Sequence, residues 1–302
     1  MKTKPIKTSI VRVLALGATA AFLSTQAQAA TVVLDDQFTS ATINGTGTAA
    51  YVSSATSYGT NNWFSFQSNS GGTPVVIGTG TPSPITGNAL RFSGSSGNDI
   101  VVGGFNPVTL SLAGQYIQVS LNYAYYSSVP GSGGAALLGL FNNNGTAVTA
   151  NGFNNRTELV GDKGYKVEKL TPTGTSDLSV YGITEGATGI SYFSGGTALT
   201  TNSTGVTSTL ATAYTMTLRL TLASNGTSLL LDSSFGGIST ARQTIASPLT
   251  LTFNEMAFRG SGTGGNFYMD NVLVTIPEPA TWGLLAFSLT TVMVLRRRRV
   301  QG

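Results

Sequence analysis

The strongest constraint on this chain is an alternation of period two. In Tyr214-Thr-Met-Thr-Leu-Arg-Leu-Thr-Leu222 five apolar side chains fall on one face, and Thr215, Thr217, Arg219 and Thr221 fall on the other. Successive residues of an extended strand point to opposite faces, whereas a helix would scatter this apolar set around its axis. Gln115 to Tyr125 repeats the pattern, with Ile117, Val119, Leu121, Tyr123 and Tyr125 on one face. Leu249, Leu251 and Phe253 alternate with Thr250, Thr252 and Asn254, and the phase then slips so that Met256 and Phe258 resume the apolar set. A β-bulge near Asn254 and Glu255 produces such a slip. Strands with one apolar and one polar face are those of antiparallel sheets packed on one side.

Turn residues separate these runs. Asn225-Gly226 stands between Leu222 and the next apolar run, Leu229 to Leu231, and reads as a tight hairpin. Asn44-Gly45, Asn144-Gly145 and Asn151-Gly152 give the same punctuation, and Pro130-Gly131-Ser-Gly-Gly134 marks a longer loop. Residues 30–275 show no convincing helical period and no exact internal repeat. The chain is 41% apolar despite its 38 glycines and its many Ser, Thr and Asn residues, so the patterned segments are expected to pack rather than remain disordered. The expectation is an all-β fold, one antiparallel β-sandwich over residues 30–275, long enough for a continuous core.

The two ends have a different character. Lys2, Lys4, Lys7 and Arg12 precede an apolar run from Val13 to Leu23, and Ala27-Gln28-Ala29 supplies the small residues that a signal peptidase reads. Residues 1–29 are therefore expected to be a signal peptide cut after Ala29, with the bond after Ala30 as the alternative. At the other end Pro277-Glu278-Pro279 is followed by an apolar run, beginning with Trp282 at its outer edge, and by Arg296, Arg297, Arg298 and Arg299. The prolines remove two backbone donors, so no strand or helix is expected through the triplet. Ala280 to Leu295 is 16 residues, roughly 24 Å as a helix against about 30 Å of hydrocarbon. It is a short membrane segment held by arginines that stay on the cytoplasmic side.

This order of parts resembles the PEP-CTERM sorting signal of Gram-negative bacteria, over residues 276–299. The resemblance implies recognition and cutting by an exosortase in the inner membrane. It also implies export in species that make extracellular polysaccharide, with a transient anchor followed by release to the cell surface or beyond. A permanent single-pass anchor that follows Pro-Glu-Pro is the competing interpretation.

The ends also account for the bulk charge. The whole chain carries a formal +4, but between Ala30 and Thr275 eight bases face eleven acids, which leaves about −3. There is no basic footprint for a phosphate backbone, and nucleic acid is excluded as a partner.

Little catalytic chemistry is on offer. The chain has no histidine and no cysteine, which removes Ser-His-Asp triads, His-based zinc sites and thiol nucleophiles. A glycosidase needs two carboxylates about 5–9 Å apart, and no short alternating Asp/Glu motif supplies them. Glu255 is the best single candidate, and a bulge residue at a strand end is its simpler interpretation. Ser261-Gly-Thr-Gly-Gly265 lacks the helix and the Lys-Ser/Thr that a phosphate loop requires. Arg156 to Lys169 concentrates charge of both signs and reads as a solvated loop or an edge hairpin, with a ligand-binding loop as the alternative.

Acidic residues mark both ends of the body, in Leu34-Asp35-Asp36-Gln37-Phe38 and Phe267-Tyr-Met-Asp-Asn-Val-Leu-Val274. This opening and closing is similar to secreted jelly-roll domains of the concanavalin-like and carbohydrate-binding type, whose first and last strands lie together. The resemblance implies that Asp35, Asp36 and Asp270 supply oxygens to a calcium ion; strand-end acids without a metal are the alternative. The functional expectation is an exported, non-catalytic surface or matrix protein associated with exopolysaccharide. A carbohydrate-binding module is the alternative, and a glycan-active enzyme is a third reading.

Overall fold

The computed structural model describes residues 30–36, 38, 43–44, 50–52, 62–67, 76–78, 85, 89–92, 99–128, 135–148, 152–153, 159–170, 177–184, 196–202, 208–261 and 266–277. Its strands begin with β1 (Ala30–Asp36), β2 (Ile43–Asn44), β3 (Ala50–Val52), β4 (Asn62–Gln67), β5 (Val76–Gly78) and β6 (Ala89–Phe92). The long strands β7 (Asp99–Thr109), β8 (Tyr116–Ser128) and β9 (Ala135–Asn142) follow, then β10 (Gly152–Phe153), β11 (Lys163–Leu170), β12 (Leu178–Thr184) and β13 (Thr197–Asn202). The last six are β14 (Ala213–Leu222), β15 (Leu229–Phe235), β16 (Ile238–Ser239), β17 (Gln243–Ile245), β18 (Thr252–Ser261) and β19 (Asn266–Pro277). No α-helix occurs among the described residues, and so none long and apolar enough to cross a membrane.

These strands form two sheets. One has nine strands in the order β16-β15-β14-β8-β19-β6-β5, with β1 also on β19 and β17 on β15. The other has ten, in the order β13-β12-β11-β9-β18-β7-β4-β3-β2, with β10 beside β4. The ladders of described register run antiparallel except for β10, which lies parallel to β4. The main core lies between the sheets. Leu121, Tyr123, Met216, Leu218 and Val274 come from the nine-stranded sheet to meet Trp63, Leu138, Val167, Met256 and Phe258. Thr31–Pro277 forms one compact unit.

The alternation in β14 survives in detail. Tyr214, Met216, Leu218, Leu220 and Leu222 are buried, while Thr217, Arg219 and Thr221 are half-buried and Thr215 is exposed. The register of β18 against β7 shifts between Phe253 and Glu255, where the phase slip required it. Phe253 pairs with Val108 and Glu255 with Gly104, so Phe105, Asn106 and Pro107 lie opposite Asn254 alone, and the extra residues belong to the partner strand. The strand starts at Thr252, later than the alternation suggested, and Leu249 is 39% exposed.

The Asn-Gly pairs behave differently from one another. Asn144 and Gly145 both have positive φ, and the Thr146 N–H donates to the Asn143 carbonyl, as a type I′ turn requires. At Asn225-Gly226 only Gly226 is left-handed, and the connection runs from Ala223 to Ser228 instead of closing on two residues. The Asn225 carboxamide oxygen accepts the N–H groups of Thr227 and Ser228, which turns the chain by a side-chain route. Gly152 belongs to β10, and Gly45 and Asn151 lie outside the described residues.

One expectation is corrected. From Lys163 to Lys169 the charged island is neither a solvated loop nor an edge, because β11 lies between β9 and β12. Lys166 and Lys169 are each only 1% exposed. The Lys166 ammonium lies 3.3 Å from the Glu168 carboxylate and 4.7 Å from the centre of the Tyr181 ring, which offsets its loss of water. Arg156 and Glu158 lie outside the described residues. One edge of that sheet is β13, Thr-Ala-Leu-Thr-Thr-Asn, which carries no charge. Pro277 ends β19 as a buried residue, at a strand terminus where the missing N–H is tolerated.

Candidate functional site

The outer face of the nine-stranded sheet is built from the polar half of the alternation. Along β14 this half is Thr215, Thr217, Arg219 and Thr221, and along β8 it is Tyr116, Gln118, Ser120 and Asn122. The antiparallel register sets them in rows. Ser234, Thr217 and Ser120 form one row, Asp232, Arg219 and Gln118 the next, and Thr215 stands opposite Asn122. The opposite side of both strands is sealed in the core, and on this side Thr215 is exposed while the others are half-buried.

The rows are organised by their own hydrogen bonds. The hydroxyls of Thr217 and Ser234 are 2.6 Å apart, and the Thr215 hydroxyl donates to Asn122 Oδ1 at 3.0 Å. Arg242 donates from Nε and Nη2 to the two oxygens of Asp232, at 2.7 and 2.9 Å. That two-pronged bond, followed by the attraction of the carboxylate's charge, holds the Arg242 pKa above its ordinary value. The guanidinium carbon of Arg219 stands 3.8 Å from the centre of the Tyr116 ring. The face therefore presents hydroxyls and amides whose positions are already restrained. Tyr116 has one ring face capped by Arg219, so hydrogen bonding dominates over open ring stacking here.

The acids at the ends of the body take other positions. β1 pairs with β19, so the first and last of the described strands share a sheet. Asp270 is 4% exposed, and its oxygens accept the Asn271 N–H at 2.7 Å and the Asn271 side-chain amide at 3.3 Å. Asn271 is left-handed at φ 51°, and the register against β8 jumps from Asp270 opposite Asn122 to Leu273 opposite Ser120. The Asp-Asn step thus makes a bulge that carries the buried set from Phe267 and Met269 over to Val272 and Val274. Asp35 is half-buried on β1, and the side chain of Asp36 lies outside the described residues. Among the described residues no three acids, histidines or cysteines gather as metal ligands.

Glu255 is 2% exposed on β18. Its cross-strand neighbours are Gly104 and Phe141, neither of which is acidic. Ala27, Ala29, Glu278, Pro279, Trp282 and Arg296, Arg297, Arg298 and Arg299 lie outside the described residues. Sequence reasoning singled out the polar half of β14 but not its completion by β8 and β15. The period-two polar set Tyr116, Gln118, Ser120, Asn122 was the available signal, and only strand order could bring it beside β14.

No protein-family model and no curated protein matches the chain. Solved structures similar in fold include the potassium-bound carbohydrate recognition domain of Emp46p, at 8% identity and a TM-score of 0.43 over 70% of this chain and 87% of that one. The globular domain of T. cruzi calreticulin matches at 9% identity and a TM-score of 0.49, over 81% of this chain and 88% of that one. A Bacillus subtilis protein of unknown function with a galectin-like fold matches at 9% and 0.45, over 72% and 90%. Values this low transfer no ligand and no reaction to this chain.

Proposed function

We propose that this chain is an exported, non-catalytic surface or matrix protein whose β-sandwich lies against extracellular polysaccharide through the outer face of its nine-stranded sheet. The observation that carries the proposal is the ordered polar surface of β8, β14 and β15, with Ser120, Thr217 and Ser234 in one row and Thr215 and Asn122 in another. Sugar hydroxyls both donate and accept, and need partners that do the same; Ser, Thr, Asn and Gln side chains supply these without a net charge. Side chains already restrained by one another lose less freedom on contact, which favours many weak bonds along a polymer.

Export and sorting are proposed from the two ends. The signal-peptide pattern through Ala29 delivers the body across the membrane, and Pro277-Glu278-Pro279 with the apolar run and Arg296 to Arg299 offers the tail to an exosortase-type protease. The tail is then a transient anchor. Non-catalytic action is the simplest reading, because Glu255 has no acidic neighbour across its strand on either side.

Two measurements test this. Protein recovered from the producing cells is cosedimented with their extracellular polysaccharide. Combining Ser120→Ala, Thr217→Val and Ser234→Ala is expected to weaken retention about tenfold, equivalent to about 1.4 kcal/mol, with the melting temperature held within a few degrees. Equal retention of this variant removes the polar face from the proposal. Mass spectrometry of the surface-associated form is expected to show a C-terminus near Glu278, and an intact tail through Arg299 would overturn the sorting half.

A further inference from the structure

Within that polar surface one cation lacks the partner that its position would give it. Arg219 stands directly opposite Asp232 in the ladder between β14 and β15, the usual geometry for a cross-strand ion pair. Asp232 is instead engaged by Arg242, with both carboxylate oxygens occupied. On its other side Arg219 faces Gln118, which is neutral. Its Nε is buried with no hydrogen-bond partner among the described residues, and its guanidinium is held over the Tyr116 ring.

We infer that Arg219 reads an anion, and that the polymer lying on this face is an acidic polysaccharide whose sugar carboxylates it takes. The inference rests on the polysaccharide reading of the face and adds the class of sugar. A guanidinium stacked on a ring keeps its N–H groups around its rim, where a planar carboxylate can meet two of them at once. The ring restrains the group beforehand, so little freedom is lost on contact. The local charge supports an anion of low valence: Arg219, Arg242 and Asp232 sum to +1, on a body where eight bases face eleven acids. An acidic body repels polyanions in general, so a half-buried guanidinium on this face selects by position and not by bulk attraction. Thr217 and Thr221 flank Arg219 along β14 on the same face, and Gln118 lies across from it, which places hydroxyl and amide groups beside the charge. A hexuronic acid presents that combination of one carboxylate and neighbouring hydroxyls. A phosphomonoester, with its higher charge, calls for a cluster of cations that these rows do not contain.

The test uses the full chain in affinity electrophoresis through gels containing polygalacturonate, dextran or dextran sulfate, at low salt to limit screening. The wild type is expected to be retarded more by polygalacturonate than by dextran, with dextran sulfate no better than polygalacturonate. Arg219→Gln is expected to reduce the preference for polygalacturonate over dextran about tenfold, and Arg219→Lys to restore only part of it, since an ammonium lacks the fork. Arg242→Gln supplies a second, independent variant. It frees Asp232 to pair with Arg219 and is expected to lower the same preference. Retardation by dextran with no preference for the uronate, or a preference that Arg219→Gln leaves intact, overturns the inference while leaving the polysaccharide reading in place. Stronger retardation by dextran sulfate shows recognition of charge alone and overturns the carboxylate assignment. Retardation by none of the three overturns both.

Discussion

Replacing Lys169 by methionine should make this protein more stable at neutral pH. Lys169 lies on β11 in step with Tyr165 and Val167, the residues that face the main core, and its ammonium is 5.6 Å from the centre of the Phe235 ring. Burial lowers its pKa from 10.5 to about 8, against the opposing pull of the Asp177 carboxylate. At about 1.4 kcal/mol per pKa unit, that change corresponds to a penalty of roughly 3 kcal/mol for the charged form. Below pH 8 both the folded and the unfolded chain carry the proton, so the penalty is present in full. Between pH 8 and the ordinary lysine range the folded chain releases its proton first, and stability rises with pH. Above pH 10 the trend reverses. Tyr123 is buried and its phenol pKa is raised well above 10, by burial first and by neighbouring Tyr125 next, so the unfolded chain ionises before the folded one. Methionine keeps an unbranched chain of similar length and forfeits the ammonium's contacts, among them a cation–π contact of about 1 kcal/mol. Lys169→Met is therefore expected to gain about 1–3 kcal/mol at pH 7 and to lose the rise between pH 8 and 10. Urea unfolding followed by tryptophan fluorescence, with Trp63 fully buried in the core, measures both over a pH series. A variant less stable than the wild type at pH 7, or a wild-type curve flat from pH 8 to 10, would refute the argument.

Gly103→Ala should cost about 1–3 kcal/mol, because a Cβ there would stand 2.6 Å from the buried Trp63 ring; a thermal melt unchanged from wild type rules out the close approach. Asp270→Ala should cost about 1–3 kcal/mol through the lost bonds to Asn271, equally with calcium and with chelator. A loss seen only with calcium present would instead assign Asp270 to a cation held with Asp35 and Asp36.

Much of the fold was legible because a strand's side chains alternate whether or not its neighbours are known. The buried and wet halves of β14, the buried half of β8 and the slip at Glu255 all follow from period two. The second slip, at Asp270-Asn271, is written in the same way, with Phe267 and Met269 giving way to Val272 and Val274. It was obscured because two acidic ends invite a metal reading. The charged island misled for a different reason. Charge density along the chain signals exposure only on average, and Lys166 and Lys169 are buried because Glu168, Tyr181 and Phe235 meet them in space.

The sequence alone determined that the body is built of strands, which residues of each strand are apolar, and that its two ends are unlike the rest. Those are properties of neighbours along the chain. Tertiary structure decided which strands stand side by side, and with that everything about the candidate face. Asp232 and Arg242 are ten residues apart, Arg219 and Gln118 about a hundred. Whether Asp232 neutralises Arg219 or is claimed by Arg242 depends on the register of β14 against β15 and on the path of the chain after β15. Local alternation cannot encode that choice, because it is made by the packing of both sheets at once.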